Sequence, residues 1–171
     1  MEGIKELYET YERRIFRYLY GLTLDFYKAE ELTQETFFQV LKSFYRFRGD
    51  CHVSTWIYKI ARNVFREYSR KNKITAISID DNLSEIMDDD GPEEAFERKE
   101  SSRLVKSVLM KIPEKQREVL WLREWQELSY EEIAGITEHT VSWVKVNIHR
   151  GRLEFKKFYY EGGDADEQIS L

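Results

Sequence analysis

Apolar positions recur in threes and fours along most of this chain, a period that predicts helices. From Ile4 to Leu22 the stripe is Ile4, Leu7, Tyr8, Tyr11, Ile15, Tyr18, Leu19 and Leu22. After a break near Thr23 to Tyr27, a second helix turns Ala29, Leu32, Thr36, Phe37, Val40, Leu41 and Phe44 inward and leaves Glu30, Glu31, Gln34, Glu35 and Lys42 largely outward. A third runs from Ser54, as N-cap, to Lys73. Its stripe of Ile57, Ile60, Ala61, Val64 and Tyr68 lies about half a turn from a second one of Lys59, Arg62, Arg66, Arg70 and Lys73. These three helices predict a bundle with one core.

The period then fails. From about Asn72 to Gly91 the chain reads as an interdomain linker, because so long a loop is unusual inside one compact domain. Helix resumes after Pro92, with Ala95, Phe96, Leu104, Val108 and Leu109 inward, and stops at Lys111-Ile112. Pro113 opens the next helix as an early position, with Val119, Leu120 and Leu122 inward. Ser129 and Glu132 have the spacing of a capping box and open a short helix to about Ile136. A tight break at Thr137 to Thr140 leads to a long helix with Val141, Val144, Ile148, Gly151, Phe155 and Phe158 on one stripe, and Lys145, His149, Arg152 and Lys156 on another. This fits a helix-turn-helix, whose second helix enters the major groove. Geometry alone leaves a plain helical hairpin equally open. The acidic end from Glu161 to Leu171 is expected to fray.

Composition agrees with an all-α protein of two small helical domains. Of 171 residues, 35% are charged and only two are proline and eight glycine. No stretch approaches the ~20 apolar residues that span a bilayer, and the start MEGIKELYE is unlike a secretory signal, so we expect no membrane insertion and a cytoplasmic protein. The net charge of −5 averages unlike segments. Lys42 to Lys73 holds nine Lys and Arg against two acids, whereas Ile74 to Ser102 holds two against ten. The acidic middle reads as a solvated spacer in preference to a nucleic-acid mimic.

Chemistry follows from what is missing and what is clustered. Cys51, His52, His139 and His149 show no metal-ligand spacing, no nucleophile and base can be shown to meet, and no Gly-rich phosphate loop is present. No metal, no cofactor and no enzyme activity are therefore expected. Before the basic helix, Phe44, Tyr45 and Phe47 interleave with Arg46 and Arg48. Rings stack on base faces while cations follow phosphates, which suits single-stranded nucleic acid.

The blocks AEELTQETF, FYRFRGD, STWIYKIARN, IPEKQREVLWLRE and ELSYEEIA, in that order, resemble the extracytoplasmic-function (group IV) sigma factors of bacterial RNA polymerase. The resemblance covers all but the linker and tail. It implies that residues 1–73 bind the polymerase core and the promoter −10 element, 74–92 form an acidic linker, 93–160 bind the −35 element, and 161–171 are a tail. Core binding would fall on Glu31, Gln34 and Glu35, against the clamp helices of β′, with the second domain on the β-flap. By matching positions, −10 contacts are implied for Phe47, Arg48, Lys59, Arg62, Asn63 and Arg66, with Asn63 at a pocket for an extruded base. Contacts to −35 DNA are implied for Lys145, Val146, His149, Arg150 and Arg152. An anti-sigma factor is an implied partner beside the core and promoter DNA.

The recognition helix departs from the family at four places. Glu138 stands where Gly is usual, Trp143 where threonine is usual, and Val146 and Asn147 where small polar or basic residues are usual. Val146 offers a thymine methyl contact and no hydrogen bond. Two rival functions are a helix-turn-helix regulator that binds duplex operators without polymerase, and a helical interaction adaptor whose basic faces are only solvated.

Overall fold

Helix α1 spans Glu2–Thr23 and ends because Leu24 adopts φ 52°, with its N–H donating to Tyr20 O at 2.7 Å. A branched side chain in this left-handed region costs roughly 1–2 kcal/mol; complete burial of Leu24 holds it there. Asp25 then caps α2, Phe26–Ser43, by accepting from Lys28 N at 3.0 Å. The buried threonines of α2 satisfy themselves, Thr33 donating to Ala29 O and Thr36 to Leu32 O. A single 3₁₀ turn, Phe44–Arg46, and a loop through Gly49 at φ 77° lead to α3, Val53–Lys71. This computed structural model describes residues 2–72 and 95–167, so the expected linker over 74–92 lies outside the described residues.

In the C-terminal half, α4 is Ala95–Lys111, α5 Glu114–Glu124, α6 Tyr130–Thr137 and α7 Val141–Glu167. The capping box forms as expected: Ser129 Oγ accepts from Glu132 N at 3.1 Å and Glu132 Oε2 accepts from Ser129 N at 2.8 Å. Between α6 and α7, Glu138 sits at φ 59° and Thr140 Oγ1 accepts from Trp143 N at 3.1 Å. The described residues are all-α, in two helical units, with α6, turn and α7 making the helix-turn-helix.

Some expectations need correcting. Helix α3 starts at Val53 with His52 as N-cap, so Ser54 lies inside its first turn. Pro113 is the residue before α5 and not an early position within it. Tyr8 and Leu41 are about half exposed; both line an open groove of about 460 Å³ between α1 and α2, where the bundle leaves that end of the stripe uncovered. Helix α7 continues through the acidic end to Glu167 where fraying was expected.

The two units pack directly on each other, α1 against α5 and α3 against α6, and share one continuous core. Trp121 of α5 is the largest fully buried side chain and donates its indole N–H to Arg17 O of α1 at 2.9 Å. Its ring lies where Gly21 leaves room: a Cβ on Gly21 would come within 2.4 Å of it. Arg117, also buried, donates to Leu22 O at 3.0 Å. That carbonyl belongs to the last turn of α1, which has no partner within its own helix, so the guanidinium acts as a cap.

Candidate nucleic-acid interface

Burial of Ile57, Ala61 and Phe65 roots α3 in the core and turns its basic side away from the bundle. On that side Asn63 and Arg66 are exposed, as is Arg48 in the preceding loop. Phe47 is half-buried, its ring 4.9 Å from that of Trp56 and tilted by 37°. Asn63 opens into a groove of about 490 Å³ between α2 and α3, shared with Glu35, Gln39, Ile60, Tyr68 and Lys71. The structure thus offers an aromatic pair at the start of α3 and, two turns further along, a carboxamide at a separate groove beside the exposed Arg66. These are the elements a splayed base and its phosphates require.

Arg62 and Lys59 depart from this picture. Arg62 is only 11% exposed at its side chain, with Nε at 2.8 Å from Glu118 Oε1 and a second guanidinium nitrogen at 3.3 Å from Oε2. Tyr18 donates to the same Oε1 at 2.7 Å. Burial alone would lower the pKa of Arg62, but the hydrogen bond to Glu118 and its charge outweigh that and raise it. Burial, reinforced by the Glu118 carboxylate, drives the Tyr18 hydroxyl well above the ordinary tyrosine range. Burial chiefly raises Tyr58 as well, whose hydroxyl donates to Gln126 Oε1 at 2.8 Å. Lys59 approaches Glu138 at 3.9 Å. Sequence reading missed Glu118, Gln126 and Trp121 because the partners they meet are dozens of positions away.

On α7, burial of Val144, Ile148 and Gly151 points Lys145, Val146, His149, Arg150 and Arg152 outward, all exposed. Lys145 lies 5.4 Å from the Tyr130 ring centroid, and Arg152 is paired with Glu124 at 2.8 Å. Asn147 is buried and donates to Trp143 O at 2.9 Å, which removes it from the outward set. Trp143 stacks on His139 at 3.7 Å between centroids. On α2, Glu31, Gln34 and Glu35 are exposed, and Phe38, 52% exposed, continues their face. Spacing from Gln34 and Glu31 was the available signal for Phe38.

Among the described residues no group of three or more His, Cys, Asp or Glu could hold a metal, and no helix is long and apolar enough to cross a membrane.

Comparison with known proteins follows the same division of the chain. Residues 7–74 match the family described as Sigma-70 region 2, and residues 102–155 that described as Sigma-70, region 4. The chain is 37% identical to the RNA polymerase sigma factor YlaC of Bacillus subtilis over 159 residues, covering 91% of each. It is 30% identical over 165 residues to the ECF RNA polymerase sigma factor SigW of the same organism, covering 91% of this chain and 88% of that one. Among solved structures it is similar to the sigma factor RpoE of Bartonella quintana, co-crystallised with the anti-sigma factor NepR. The TM-score there is 0.73 at 19% identity, over 92% of this chain and 97% of the other, a likeness of fold.

Proposed function

The chain belongs to the extracytoplasmic-function sigma factors of RNA polymerase, alternative sigma factors that direct promoter-specific initiation, and from that premise we propose how its parts divide the work. Residues 1–73 bind the polymerase core through the α2 face of Glu31, Gln34 and Glu35, seated on the clamp helices of β′. The same unit reads the −10 element. Asn63 hydrogen-bonds an extruded base, Phe47 lines its pocket, and Arg48, Lys59, Arg62 and Arg66 follow the phosphates. Residues 74–92 link this unit to 93–160, which docks on the β-flap and lays α7 in the −35 major groove. There Lys145, Val146, His149, Arg150 and Arg152 make the contacts, with residues 161–171 beyond them. RNA synthesis itself is catalysed by the polymerase, and the protein acts in the cytoplasm, where that enzyme is. An anti-sigma factor is a proposed partner, on the likeness to a sigma factor crystallised with one.

One observation supports this reading above others: an α3 that carries the exposed Asn63 and Arg66, and starts at the Phe47–Trp56 pair, precedes in one chain a helix-turn-helix with an exposed basic stripe. A regulator of duplex operators has no use for the first of these. The test is transcription of fragmented genomic DNA by core polymerase with and without the protein, mapping RNA 5′ ends. Discrete new starts that share two upstream elements are expected; none, with folded protein and active core, would defeat the reading. Asn63→Ala should retain core binding and lose permanganate reactivity of −10 thymines.

A further inference from the structure

We propose that α7 selects thymine within the −35 element by its 5-methyl group, with Val146 as the residue that makes the contact. The inference rests on the reading of α7 as the −35 helix and names the base it takes. The first turns of such a helix reach base edges, and in this chain their side chains are sorted by the neighbours they keep. Lys145 lies 5.4 Å from the ring centroid of Tyr130, which draws its ammonium toward α6, the helix that crosses the DNA backbone. Lys145 is thereby placed to follow a phosphate, a contact that positions the protein without specifying sequence. Arg152 is engaged by Glu124 of α5 at 2.8 Å.

A carboxamide in the groove takes adenine through two hydrogen bonds, but Asn147 is buried and donates to Trp143 O at 2.9 Å. Adenine is left without that partner. Val146, the next residue toward the start of the helix, is 47% exposed. A lone exposed valine is ordinary on a protein surface; this one stands at the centre of the outward face, with Ser142, Lys145, His149 and Arg150 exposed around it within about one turn. Trp143, three positions earlier on the same side, extends its apolar surface, and the indole is fixed by the His139 ring stacked 3.7 Å away between centroids. The thymine 5-methyl is the apolar group among the major-groove edges, and here it meets carbon in place of water. The amino group of cytosine at the same place would lose water and find no acceptor on either side chain. An A·T pair is thus recognised from its thymine side.

The test uses holoenzyme reconstituted from core polymerase and the full chain, on a synthetic fragment of a promoter whose start it directs. Uracil in place of every −35 thymine removes the methyl groups and keeps every hydrogen-bonding group. Equilibrium binding should weaken about fourfold per methyl that Val146 covers, the factor for one buried carbon, while uracil at spacer positions should change nothing. Val146→Ala, at an exposed position, should show the same loss on the thymine fragment and no further loss on the uracil fragment, a non-additive cycle. Equal affinity for the two fragments, or losses that add, would overturn the proposal. So would promoters whose −35 elements carry no thymine on either strand. Lys145→Ala keeps such a failure apart from failure of the −35 reading itself, since it should weaken binding to both fragments alike and lower the salt slope by about one. If Lys145→Ala does so and uracil has no effect, thymine selection alone falls; if neither has an effect, α7 is not the −35 helix.

Discussion

Gly21→Ala is a substitution whose sign depends on whether the two units are packed. In α1 alone it removes a glycine from near the helix end and should stabilise by about 0.5–1 kcal/mol. In the packed chain the new Cβ would lie 2.4 Å from Cγ of Trp121, whereas carbon atoms rest at about 3.5–4.0 Å. The indole must retreat by about an ångström, at an overpacking cost of about 1–3 kcal/mol. Its 2.9 Å hydrogen bond to Arg17 O is stretched or lost, for about 1 kcal/mol more. The net expectation is about 2 kcal/mol of destabilisation. Denaturant titration followed by far-UV circular dichroism reads this as a lower midpoint, and Trp121→Ala in the same chain should relieve most of it, giving a non-additive cycle. Gly21→Ala as stable as the parent, or more so, together with additivity, would refute the packing of α5 on α1.

Other perturbations separate buried from exposed charges. Arg66→Ala, at an exposed position, should leave stability within about 0.5 kcal/mol and lower the salt slope of promoter binding by about one phosphate contact. In contrast, Arg62→Met should cost about 3–5 kcal/mol by leaving Glu118 buried and unpaired, and adding Glu118→Met should restore most of that loss; a double variant as unstable as the single one would count against the pair. Tyr18 has a raised pKa in the folded chain, so its contribution is present below the ordinary tyrosine value near 10 and is lost as pH rises beyond it. Unfolding midpoints between pH 7 and 11 should fall above pH 10, with Tyr18→Phe removing a share of about 1.4 kcal/mol per pH unit; an unchanged slope in that variant would exclude it.

Where one face of a helix is wet, the pattern along the chain was enough to find it. The stripes of α3 and α7 and the capping box at Ser129 were all legible for that reason. Helix α5 was found, with Val119, Leu120 and Leu122 inward, but its second buried side was not, because Arg117, Glu118, Val119, Leu120, Trp121 and Leu122 are buried in succession between α1 and α7. A helix covered on both sides has no polar face to set a period. Tyr8 and Leu41 erred in the other direction, being on period but left about half exposed at the groove between α1 and α2, although the Tyr8 ring still meets Phe37 at 4.9 Å. At the site, spacing placed Asn63 and Arg66 on the open side of α3, whereas the engagement of Arg62 depends on an acid 56 positions away. Local periodicity carries no information about such a pair.

The interface between the two units carries a buried ion pair beside its apolar core. An apolar pair at the positions of Arg62 and Glu118 would hold the units at least as well, since the desolvation of two ions offsets much of their attraction. Removing one partner alone would leave the other charge buried, so the pair constrains how the units fit more than it adds to stability. The apolar part is continuous with the cores of both units, and Trp121 fills the space that Gly21 leaves. Around it the links are polar, from Tyr58 to Gln126, Arg117 to Leu22 O and Lys59 to Glu138. Those bonds give buried polar groups partners across the interface, and the shared core beneath them supplies the apolar burial.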